Sequence, residues 1–121
     1  MANTFKVVNF AAEPNSAGTP YVIYTAAGST TTIVLGLILT NIHTAQVTTE
    51  VELVSTTSSR GGANNVANGT SFLAKNVPIP VGSSLELLTG SKVVLEAGDV
   101  IQVDCSVADK LSGTLSIMEI T

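Results

Sequence analysis

KVVLEAGDVIQVDCS, residues 92–106, sets two short apolar runs around a Glu-Ala-Gly-Asp break. Beyond the break Ile101, Val103, Cys105 and Val107 recur with period two, while Gln102, Asp104 and Ser106 take the alternate positions. Successive side chains of an extended chain point to opposite sides, so this is the pattern of a strand with one face buried. Gly98 lets the backbone turn, and Asp99 is suited to accept hydrogen bonds from turn amides. The stretch therefore predicts the corner of a β-fold, with Glu96 and Asp99 as structural acids and Cys105 as a small buried side chain.

The same signature runs through the chain. Strands are predicted over residues 5–10, 21–25, 46–55, 72–81, 85–88, 92–95, 99–107 and 114–120, separated by turn formers such as EPNSAGTP at 13–20. Residues 32–42, TIVLGLILTNI, are apolar on both alternating sets. That predicts a strand covered on both faces, central or at a subunit contact, with Gly36 marking a bulge or a close backbone approach. In residues 46–55, Val47, Thr49, Val51 and Leu53 form one face and Thr48, Glu50 and Glu52 the other, a half-exposed strand. Pro78 and Pro80 place the end of their segment at a sheet edge. Eight or nine short strands without linker or repeat predict one all-β domain over 1–121, an antiparallel β-sandwich of jelly-roll type. Residues 1–12 form its N-terminal arm or first strand. Residues 55–70, STTSSRGGANNVANGT, are too polar to hold themselves by burial and predict a long exposed loop that reaches a partner. Within it Asn68-Gly69-Thr70 matches a glycosylation sequon but reads as an Asn-Gly turn.

Charged residues are only 12% of the chain and apolar ones 45%, a balance that suits a surface partly covered by neighbours. Nine acids against five bases, a net charge of −4, argue against a phosphate backbone as partner. MANTFKVVNF alternates polar and apolar residues, unlike a signal peptide, and the longest apolar run falls far short of the roughly 20 residues that span a bilayer as a helix. Synthesis in a cytoplasm and no membrane insertion are the expectations. Cys105 is the one cysteine, so no internal disulfide forms.

Catalytic constellations are missing from the pattern. A hydrolytic triad needs a base, and the single histidine, His43, lies in the turn-like NIHTAQ, where a surface or capping role fits. One histidine and one distant cysteine do not make a zinc site. Glu96, Asp99, Asp104 and Asp109 are grouped but match no calcium loop, and Asp99 and Asp104, five apart, should point to opposite faces. Glu50 and Glu52 share a face and read as a solvated sheet surface. Neither a GxGxxG, a P-loop nor a GxSxG is present. No catalytic, cofactor or metal residues are therefore expected, and no enzyme. Few cations accompany the aromatics, so Phe5, Phe10 and Phe72 read as core or interface anchors.

The run VPIPVGSSLELLTGSKVVLEAGDVIQVDCSVADKLSGTLSIMEIT resembles the closing part of small virion structural proteins of tailed bacteriophages, particularly marine and cyanobacterial ones. In both, an apolar strand, a Leu-Glu-x-Gly-Asp turn, an amphipathic strand and a terminal Leu-Ser-x-x-Glu-Ile strand follow in this order. The pattern L-x-x-G-D-x-I-x-V also occurs in jelly rolls of the tumour-necrosis-factor and cupin kinds, but His43 alone cannot build the cupin metal site. The resemblance implies a particle component without enzymatic activity, without cofactors and located in the virion. It would be a decoration (cement) protein on the capsid, or else part of the neck, tail or fibre. Decoration proteins of this kind commonly form trimers on the major capsid protein. The expected contacts are Phe5 and Phe10 near the N-terminus and Arg60, Asn64 and Asn65 in the long loop. The other function that fits is a carbohydrate- or receptor-binding β-sandwich module.

Overall fold

The computed structural model describes residues 2–55, 69–88 and 92–121. Nine strands follow one another: β1 (Asn3–Glu13), β2 (Tyr21–Thr25), β3 (Thr31–Asn41), β4 (Val47–Val54), β5 (Thr70–Ile79), β6 (Ser84–Leu87), β7 (Val93–Leu95), β8 (Val100–Cys105) and β9 (Leu111–Ile120). They form two antiparallel sheets, here called A and B. Sheet A runs β1-β9-β3-β6, with β7 also paired to β3, and sheet B runs β2-β8-β4-β5. The chain crosses from one sheet to the other at nearly every connection, and its first and last strands lie side by side. This is the wrapped order of a jelly roll, as the strand pattern predicted, with one edge strand divided into β6 and β7.

The corner at residues 96–99 shows how the crossing is made. Leu95 ends β7 in sheet A and Val100 begins β8 in sheet B. Between them the Asp99 amide donates to the Glu96 carbonyl at 3.0 Å, and the Glu96 amide donates to the Asp99 carboxylate at 3.0 Å. Gly98 takes the left-handed backbone, φ +89°, that such a turn needs. The corner is also tied to the β2–β3 loop, through Gly98 N–H to the Ala26 carbonyl and Ala26 N–H to the Asp99 carbonyl, each 2.9 Å.

Alternate residues of the two sheets face each other and fill the core. Val34, Leu37, Leu39, Leu115 and Ile117 come from sheet A, and Val47, Val51, Ile79, Ile101 and Val103 from sheet B, all essentially without solvent contact. Burying each such side chain contributes about 1.5–3 kcal/mol, which sets the phase of every strand. In β4 the inward set is Val47, Thr49 and Val51, as predicted, and Cys105 is buried. Edge strand β5 accommodates Pro78 and carries two register shifts, and with the Lys75 charge this blunts pairing with another chain.

Strand β3 is central in sheet A, one of the two placements its apolar pattern predicted. It lies between β9 and the β6/β7 edge, but this chain covers only one of its faces, leaving Ile38 44% exposed. A register shift between Val34 and Gly36 is the bulge that Gly36 foretold. It moves the buried phase from Thr32 and Val34 to Leu37, Leu39 and Asn41, so the two predicted alternating sets each change sides midway. The division of the edge strand falls at the same place: β7 pairs with Thr32–Val34 and β6 with Leu37–Thr40.

Candidate functional site

The outer face of sheet A is the most unusual surface among the described residues. In register across four strands, Phe5 lies opposite Met118, Met118 opposite Ile33, and Ile33 opposite Val94. Phe5 is 71% exposed and Val94 47%. The next row is Val7, Ser116 and Gly36, and the one beyond it Asn9, Thr114, Ile38 and Glu86. A ridge of large apolar side chains thus stands beside a row that falls from exposed Val7 to the small Ser116 and Gly36. Of the outward residues on these paired positions, Glu86 alone is charged.

Phe5 and Phe10, five apart in β1, point to opposite sides. Phe5, one of the expected contact residues, is exposed. Phe10 is not: it is buried, with its ring 5.1 Å from that of Tyr21 and tilted at 54°, and it covers Gly113 directly across the strand pair. Arg60, Asn64 and Asn65 lie outside the described residues. Among the described residues Ser55 N–H donates to the Gly69 carbonyl at 2.9 Å.

Sheet B presents a polar outer face. Glu50 pairs with Lys75 at 3.1 Å, and Glu52 accepts a hydrogen bond from the Gln102 amide at 2.7 Å. Lys75 also lies 4.3 Å from the centroid of the Phe72 ring. Asp104 faces outward, opposite to buried Asp99, and its Oδ1 accepts from the amides of Gly18 at 3.1 Å and Cys105 at 2.8 Å. Each of these acids serves a neighbouring amide or cation. His43 belongs to a turn organised by buried Asn41, whose Oδ1 accepts the His43 amide at 2.7 Å while its Nδ2 donates to the Ala45 and Ile79 carbonyls, each 2.9 Å. Burial raises the Cys105 thiol above its ordinary pKa, which disfavours the reactive thiolate. Among the described residues no three His, Cys, Asp or Glu side chains are grouped so as to hold a metal ion.

A polar latch ties the sheets together at one end. Tyr24 of sheet B donates its hydroxyl to Glu119 Oε2 at 2.6 Å and meets buried Thr32 Oγ1 at 2.8 Å, and Lys6 pairs with Glu119 Oε1 at 2.6 Å. Strands β1, β2, β3 and β9 are thereby joined. Tyr24→Phe should lower stability by about 1 kcal/mol, read as a shift of the urea midpoint, since it strips partners from Thr32 and Glu119. An unshifted midpoint would contradict the latch.

Lys6, and after it Tyr24, hold the Glu119 carboxyl below the ordinary carboxylate range. A carboxyl depressed by folding contributes stability that is present above its unfolded pKa and lost as pH falls through the folded one. Glu119→Gln is therefore expected to be less stable than the wild type at neutral pH and to lose less on acidification. Thermal unfolding at neutral and acid pH checks this, and parallel curves for the two proteins would count against it.

No protein-family model, curated protein or solved structure matches this chain.

Proposed function

We propose that this chain is a non-enzymatic structural protein of a bacteriophage virion, most specifically a capsid decoration (cement) protein that stabilises the shell through contacts with its own copies and with the major capsid protein. The observation that carries the reading is the apolar, almost uncharged outer face of sheet A. A contiguous apolar patch rimmed by polar residues marks a protein–protein site, because leaving it in water forfeits burial energy. The likeness of the C-terminal third to phage virion proteins supplies the setting. The acids of the opposite sheet are engaged by neighbours, which suits a scaffold that presents surfaces.

Deleting the gene and adding back the purified protein tests the role. Particles without the chain should disrupt at lower temperature or milder chelation and osmotic shock, and the added protein should restore their resistance. Unchanged particle stability would remove the decoration role.

A second reading has one observation in its favour. Half-exposed Phe72 lies in the row Val22, Gln102, Glu52, Phe72 on sheet B, a polar face with an aromatic side chain that suits a carbohydrate- or receptor-binding module of a fibre. A glycan array gives hits on this reading and none on the first.

A further inference from the structure

We infer that the outer face of sheet A is the docking site for a second copy of this chain, the two packing face to face about a two-fold axis. The inference deepens the assembly reading above and rests on it only in treating the chain as one unit of an array.

Charge favours a second copy over a foreign partner of either sign. The chain carries a net charge of −4, so two copies repel wherever their acids meet. Glu50, Glu52 and Asp104 all lie on the outer face of sheet B. Across the outward paired positions of sheet A only Glu86, on edge strand β6, is charged, and its place on an edge strand lets two copies approach without like charges opposed.

Area and relief point the same way. Four strands about 4.8 Å apart and roughly 30 Å long present about 600 Å² in projection. Two such faces bury about 1,200 Å², the lower bound of a specific interface, before side-chain relief is added. The relief is self-complementary. Beside the ridge of Phe5, Met118, Ile33 and Val94 the row that begins with exposed Val7 drops to the small residues Ser116 and Gly36, and two shallow hollows of about 280 and 160 Å³ flank Leu35 there, the first bounded by Phe5 and Val7 and the second by Ile38 and Glu86. A Cβ built on Gly36 meets nothing within 4 Å, so the floor is open. A two-fold axis between ridge and hollow lays each copy's ridge into the other's hollow, and an isologous contact of this kind closes at two. The expected unit is a pair, in place of the trimer implied by the resemblance.

Light scattering on the purified full chain at tens of micromolar tests this. The wild type should run at twice the 12.4 kDa of one copy. Phe5→Glu puts a charge on the ridge and Ser116→Arg fills the hollow. Each should weaken pairing at least about hundredfold, to the mass of one copy, with the β circular-dichroism signal kept. Phe72→Glu, on the outer face of sheet B, should leave the pair intact. A wild type that runs as one copy or as a trimer overturns the inference, as does a pair that survives both sheet A variants or is broken by Phe72→Glu. A single-copy wild type that still restores particle stability would sink this inference and leave the decoration role standing. A pair whose addition does nothing to the particles would do the reverse.

Discussion

Gly113→Val is expected to destabilise the protein by about 3 kcal/mol, the upper end of the cost of overpacking a core. Gly113 lies in β9 directly opposite Phe10 of β1, and the Phe10 ring fills the space a side chain there would need. A Cβ at this position would fall 2.5 Å from Phe10 Cε1 and Cζ and 3.1 Å from Leu39 Cδ2. The ring cannot retreat freely, since it packs against Tyr21 on the other sheet and belongs to the core. A branched side chain therefore evicts an aromatic one, and the edge strand β1 loses its main anchor. Urea denaturation measures the loss. The mechanism has its own check, because in a Phe10→Leu background the added cost of Gly113→Val should shrink markedly. Equal penalties in both backgrounds would show that the clash is not with Phe10.

Asp99→Ala should cost about 2–3 kcal/mol. Asp99 is fully buried, and its carboxylate accepts the Glu96 amide at the point where the chain leaves sheet A for sheet B. Alanine strands that amide, and losing a charged acceptor for a buried donor costs more than losing a neutral one. Asp99→Asn keeps an acceptor of similar shape and should lose about half as much. Midpoints from urea denaturation rank the three proteins. An alanine variant as stable as the wild type would mean that the corner is held by its backbone bonds, from Asp99 to Glu96 and to Ala26, without the carboxylate.

The corner was legible from sequence because everything it needs is local: a glycine for the left-handed backbone, an aspartate one residue on and alternating apolar residues after it. Strand positions were legible for the same reason. Partnership was not. Nothing in residues 92–106 tells that the two runs belong to different sheets, since that depends on which distant strand each one meets. The bulge at Gly36 was foreseen as an irregularity, yet its consequence, a change of phase along β3, depends on pairing with β9. Phe5 and Phe10 were separable by parity, but only the packed structure tells which parity faces the core. The bond from Asn41 to Ile79 and the Tyr24–Glu119 latch gave no local signal. Their partners are 38 residues away for the Asn41 bond to Ile79 and 95 for Tyr24 to Glu119. As for the candidate surface, Phe5 is a contact candidate from the sequence alone. The row that gives Phe5 its context gathers residues from four strands, so no single stretch of sequence could announce it.

As a repeated part of a virus particle, the role we propose for it, the chain must be a stoichiometric component of purified virions. Quantitative mass spectrometry of purified, nuclease-treated particles tests it most directly. The chain is expected in many copies per particle, in fixed proportion to the major shell protein and retained through density-gradient purification. Its absence from particles that contain their other structural proteins would rule the role out.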